Sequence, residues 1–139
     1  MNEYASNNTL IQDLLVIKSH TVIVNVNILL QCLDDSTIDN DDIIQCIINA
    51  NNIILKNHKD ITYKLSSKDI KMKHTKHIFF MATLYKTISN IFPLNTLHKI
   101  KVYDTSEFTK TLFTMLTPIF GDRSDMIEKF KFTDKPFKY

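Results

Sequence analysis

Between Ile78 and Phe92 the chain reads Ile-Phe-Phe-Met-Ala-Thr-Leu-Tyr-Lys-Thr-Ile-Ser-Asn-Ile-Phe, and Pro93 follows at once. Wound as a helix, this stretch carries bulky side chains around most of its circumference, and a proline cannot continue it. At roughly 1.5 Å per residue the helix is about 22 Å long, the width of a small domain's core. A helix that is apolar on nearly every side has to be buried by others. The sequence therefore predicts a central pillar with the rest of the chain as its wrapping.

The flanking segments are read as that wrapping. Thr9 is placed to cap a first helix with Leu10, Ile11, Leu14, Leu15 and Ile17 on one stripe. The run Thr21–Asn27, rich in β-branched residues, has strand character, but Ile28-Leu29-Leu30-Gln31-Cys32-Leu33 continues it with helical character, and the whole is read as helix. After the turn Asp34-Asp35-Ser36-Thr37, Asp39 and Asp42 resemble a capping box opening a helix to about Lys56, with Ile43, Ile44, Ile47, Ile48, Ile54 and Leu55 on its apolar face. One short helix with Ile61 and Leu65 is expected between His58 and Ser66, and Ser66-Ser67-Lys68-Asp69 caps the approach to the pillar.

Beyond Pro93, Leu94, Leu97 and Ile100 keep a three-residue spacing, and Asp104-Thr105-Ser106 caps a helix bearing Phe108, Leu112, Phe113, Met115, Leu116 and Ile119. Pro118 shortens or kinks that helix, Gly121 ends it, and Asp122 or Ser124 caps a last one with Met126, Ile127 and Phe130. The single glycine in 139 residues argues against the tight turns of a β-sandwich. The expected architecture is all-α, one domain over residues 1–139 with short frayed termini and seven or eight helices around the pillar.

Chemistry is sparse. His74 and His77 sit three apart, a spacing that places two imidazoles on one helical face, but no acidic residue or cysteine stands at helical spacing and the flanking lysines repel a cation. The reading there is a solvated basic face, with no metal. No Gly-rich phosphate loop, G-x-S-x-G or H-E-x-x-H occurs, so neither an enzyme nor a cofactor is expected. Cys32 and Cys46 form no C-x-x-C pair and read as small buried thiols. The first residues lack the order of a signal peptide, which leaves Asn7-Asn8-Thr9 an idle sequon, and no apolar run reaches the roughly 20 residues of a membrane span. Lys56, Lys59, Lys64, Lys68, Lys71, Lys73 and Lys76 could meet nucleic acid, but net charge is only +2, no Arg lies in the run, and Asp60 and Asp69 interrupt it.

A further indication comes from the helix order and from three segments: Thr9-Leu10-Ile11-Gln12-Asp13-Leu14-Leu15, Ile28-Leu29-Leu30-Gln31-Cys32-Leu33-Asp34-Asp35, and Glu107-Phe108-Thr109-Lys110-Thr111-Leu112-Phe113-Thr114-Met115-Leu116. In these the chain resembles the small poxviral Bcl-2-like proteins, and an AT-rich viral genome would account for its Ile, Lys and Asn bias. The resemblance implies a non-enzymatic protein of the host cytoplasm. It would block apoptosis by sequestering a pro-apoptotic BH3 helix, or block innate signalling to NF-κB. The Asn-Trp-Gly-Arg of pro-survival members is missing; the matching region is Lys73-His74-Thr75-Lys76-His77.

A groove for a partner helix would draw on Ile47, Leu55, Tyr63, Met72, Phe79 and Tyr85, with Lys76 at its rim. Asp13 and Ile17 are candidates for a homodimer face. The alternatives are a nucleic-acid-associated helical protein using Lys56–Lys76 and a structural virion component.

Overall fold

A computed structural model describes residues 10–121 and 124–138. Its architecture is α/β, which overturns the all-α expectation. A helical turn at 10–12 leads into a hairpin of β1 (Leu15–Lys18) and β2 (Thr21–Val24), followed by α1 (Val26–Asp34) and α2 (Asn40–Leu55). Strand β3 (Ile61–Ser66) precedes a 3₁₀ segment (Met72–His77) and α3 (Ile78–Ile91). Strand β4 (Leu97–Tyr103), α4 (Glu107–Leu116), a 3₁₀ turn (Thr117–Phe120), α5 (Ser124–Ile127) and β5 (Phe130–Phe132) complete the chain. The cap assigned to Thr9, the sequon at 7–9 and Asp122 lie outside the described residues.

The strands form one sheet in chain order, β1-β2-β3-β4-β5, with β1 antiparallel to β2 and every later pair parallel. Parallel neighbours need long crossovers, and here helices supply them. The scarcity of glycine was therefore a poor guide, because it argues against hairpins and not against βαβ units. The single hairpin turns through Ser19, which adopts the left-handed φ of 58° that glycine usually supplies.

Register sorts the sheet's side chains by face. Val22, Tyr63, Ile100 and Phe130 are in line across four strands, with Ile61, Leu65, Val102 and Phe132 beside them. This is the apolar face, and α2, α3 and α4 lie on it. Val22, Ala50, Ile54 and Ile61 pack as one buried cluster, and Phe113 of α4 stacks at 4.6 Å and 4.9 Å on Phe130 and Phe132. A second cluster, Leu14, Cys32, Ile38, Ile43, Ile44 and Phe80, joins α1, α2 and α3.

Four segments read as helical are strands, in whole or part: Leu15–Lys18, Thr21–Val24, Ile61–Ser66 and Leu97–Tyr103. In each, pairing with a neighbouring strand satisfies the backbone and fixes which side chains share a face, and that tertiary demand overrides local helical character. Phe130, placed on the last helix, is also in a strand.

The pillar is corrected as well. Ile78–Ile91 is a helix, but only Phe80 is fully buried, while Phe79 is 81% exposed and Met81 and Ile91 also reach solvent. It is a covering helix with one face on the sheet. Asp39 and Ser106 do cap α2 and α4, each accepting a backbone N–H, from Asp41 at 3.0 Å and from Thr109 at 3.2 Å. No helix among the described residues is long and apolar enough to cross a membrane.

Candidate functional site: an apolar cavity between α3 and the sheet

Helix α3 does not seat fully on the strands beneath it. Between them lies a partly open cavity of about 280 Å³, reaching from Val24 on β2 across Ile61, Tyr63 and Leu65 on β3 and Ile100 on β4 to Phe130 on β5. Three interstrand steps make this about 14 Å across. Leu84, Tyr85 and Ile88 of α3 form its roof, Leu29, Ile47 and Asn51 of α1 and α2 close one side, and Phe113, Leu116 and Phe120 close the other. The strand residues reach it because period-two alternation sends 61, 63 and 65 to the helix side. The helix residues reach it because 84, 85 and 88 share a stripe at helical spacing.

No Asp, Glu, Lys, Arg or His lines the cavity, and its polar side chains are few. Ser89 and Thr96 donate to the carbonyls of Tyr85 and Pro93, each at 2.6 Å. The Tyr85 ring meets Phe120 edge-on at 5.0 Å. The remaining polar pair bridges α2 and β3: the Tyr63 hydroxyl donates to Asn51 Oδ1. Asn51 is only 4% exposed. Burial pushes the Tyr63 phenol well above its ordinary range, against a smaller downward pull from the Asn51 hydrogen bond, so the hydroxyl keeps its proton.

Of the residues proposed for a groove, Ile47, Tyr63 and Tyr85 meet in this cavity. Leu55 packs instead against the Val22, Ala50, Ile54 and Ile61 cluster. Met72 and Phe79 face outward, 71% and 81% exposed. Lys76 lies 3.2 Å from Asp34, which also meets His77 Nε2 at 3.0 Å. The Lys76 contact, seconded by His77, holds the Asp34 carboxyl below its ordinary range. Asp13 is exposed in the turn before β1, and Ile17, 37% exposed, sits on β1 at the sheet edge.

Sequence reasoning passed over Asn51, Leu65, Ile88, Ile100 and Phe113 as site residues. The readable signal for the strand members was the alternation Lys99-Ile100-Lys101-Val102 and Phe130-Lys131-Phe132.

A second cleft, about 390 Å³ and more open, lies at the C-terminal ends of β3 and β4 among Ser67, Lys68, Lys71, Asp104 and Ser106. Its hydroxyls and its carboxylate are already engaged within the protein. Ser67 Oγ lies 3.0 Å from Thr109 Oγ1 and 3.1 Å from the Asp104 carbonyl, and the Ser66 hydroxyl donates to the Asp104 carboxylate at 2.5 Å. Among the described residues no group of three or more His, Cys, Asp or Glu could hold a metal ion. Burial raises the Cys32 and Cys46 thiols, so neither is poised as a thiolate. No family model, curated protein or solved structure matches the chain.

Proposed function

We propose that this protein binds a small apolar molecule in the cavity beneath α3. The observation that carries the reading is a partly open space of about 280 Å³ walled almost wholly by aliphatic and aromatic side chains. Protein interiors are close-packed, with few voids larger than a water molecule, and a space lined by hydrocarbon favours an apolar occupant over water. Its size is at the lower end of small-molecule pockets. A wall with no Asp, Glu, Lys, Arg or His suits sequestration or carriage, and no reaction is proposed.

Competition for a host helix drew its support from an all-α arrangement, and the present fold disperses its groove residues between the cavity, the α2 core and the outer surface. Neither it nor the nucleic-acid and virion-component alternatives has an observation here to favour it.

The test is binding of an apolar fluorescent probe, with competition by a small hydrocarbon. Wild-type protein is expected to take up one equivalent of probe, and Ile88→Phe or Ile100→Phe, which fill the cavity, to lose most of that binding with the circular dichroism spectrum unchanged. Equal binding by the filled variants would place the probe elsewhere and overturn the reading.

A further inference from the structure

The cavity is not uniformly apolar, and its one buried polar pair carries information about the occupant. In the Tyr63–Asn51 bond the phenol is the donor and Asn51 Oδ1 the acceptor. An Asn side chain also carries two N–H donors, and Asn51 Nδ2 has no hydrogen-bond partner among the described residues. Yet no fully buried side-chain nitrogen or oxygen among them is unpartnered. Asn51 is 4% exposed and lines the cavity, so its amide nitrogen is reachable, and the cavity is where it is reached from.

An amide left in an apolar wall is unfavourable unless something accepts from it. Water could do so in the empty protein, but an occupant that displaces the water without replacing its hydrogen bond loses affinity. The occupant matched to this wall therefore carries an oxygen at one end. That oxygen meets the α2–β3 side, while the hydrocarbon extends toward the aromatic side formed by Phe113, Phe120 and Phe130. A carboxylate does not suit the position, because no cation lines the cavity and a buried unpaired charge is strongly disfavoured.

We propose that the ligand is a neutral amphiphile, an alcohol or a carbonyl compound with a single hydrocarbon body, whose oxygen is received by the Asn51 amide beside Tyr63. This rests on the reading of the cavity as a ligand site. Asn51 and Tyr63 are then residues that set specificity.

The experiment measures displacement of the apolar probe by decane, decanol and decanoate at pH 8, on wild-type protein, Asn51→Leu, and the double variant Asn51→Leu/Tyr63→Phe. The double variant replaces both polar partners by apolar groups and so guards against loss of fold from one unpaired group. Decanol is expected to lose about three- to tenfold in affinity in whichever of the two variants folds, a change on the scale of one hydrogen bond, while decane is unchanged or improved. Wild-type protein should bind decanoate more weakly than decanol. Equal losses for decane and decanol, no loss for decanol, or decanoate binding as tight as decanol would each overturn the assignment while leaving the cavity reading intact. Displacement by none of the three from wild-type protein would overturn the cavity reading, and this proposal with it.

Discussion

Phe79 and Phe80 are neighbours in the chain and opposites in the fold, 81% and 5% exposed, which makes them a sharp test of what α3 is. Phe80 packs in the cluster with Leu14, Cys32, Ile38, Ile43 and Ile44. Truncating a buried phenylalanine to alanine removes its transfer free energy and leaves a cavity, together about 3–5 kcal/mol. That is a large share of the 5–15 kcal/mol by which domains are typically stable. With a urea dependence on the order of 2 kcal/mol per molar, Phe80→Ala should lower the unfolding midpoint by about 2 M. Phe79→Ala removes a side chain already in water, and alanine is the better helix former, so its stability change should stay within about 0.5 kcal/mol and could be a gain. The assay is equilibrium urea unfolding followed by circular dichroism, the two variants side by side. A helix buried all round by other helices predicts large losses at both positions. Comparable losses, or a larger one at Phe79, would refute the placement of α3 as a helix buried on one side only.

Two further outcomes probe the sheet itself. Ser67, 3% exposed, lies within 3.2 Å of the Tyr103 carbonyl and 3.0 Å of Thr109 Oγ1, tying the C-terminal ends of β3 and β4 to α4. Ser67→Ala should therefore cost about 1–3 kcal/mol in urea unfolding, and a neutral result would remove Ser67 as a tie. Lys101 and Lys131 face each other in register on β4 and β5, and like charges directly opposite are unfavourable. Lys131→Glu should stabilise by about 0.2–1 kcal/mol at low salt, less as salt screens the pair, whereas destabilisation would contradict the register.

Legibility followed the range over which each signal acts. The start of α2 at Asp39 and of α4 at Ser106 could be read directly, because a cap is a contact between residues two or three apart. The ends of the pillar were also close, since Pro93 enforces a stop. Its burial was misjudged because apolar composition around a helix does not say how many sides are covered. Phe79 and Phe80 are indistinguishable to composition, and only the position of α1 and α2, against which Phe80 packs, separates them. The strands were lost for a related reason. Leu94, Leu97 and Ile100 do keep a helical spacing, and it outweighed the shorter alternation of Lys99-Ile100-Lys101-Val102-Tyr103. Four or five residues are too few for either period to win on its own, and the deciding fact, that Ile100 lies between Tyr63 and Phe130 on parallel neighbours, is a pairing across 37 positions in one direction and 30 in the other.

The same alternation shows why the lysines misled. Lys56 to Lys76 looked like one basic run, yet Lys64 is on β3, Lys76 is joined to Asp34, and the true neighbours of Lys64 are Lys101 and then Lys131, in register on the sheet face opposite the helices. A basic feature thus exists, but it is assembled from three strands. The cavity's polar pair has the converse logic. On α2 the buried positions run Ile43, Ile44, Ala50, Asn51 and Ile54, so Asn51 occupies a slot in which an apolar residue would satisfy the core. An asparagine at such a slot is tolerated only if its hydrogen bonds are met, and Tyr63 meets one of them. The apolar stripe was legible and so was its interruption. What could not be read was that β3 would bring Tyr63 to that interruption and that α3 would leave a space beside it, which is what turns an irregularity in a core pattern into a candidate site of recognition.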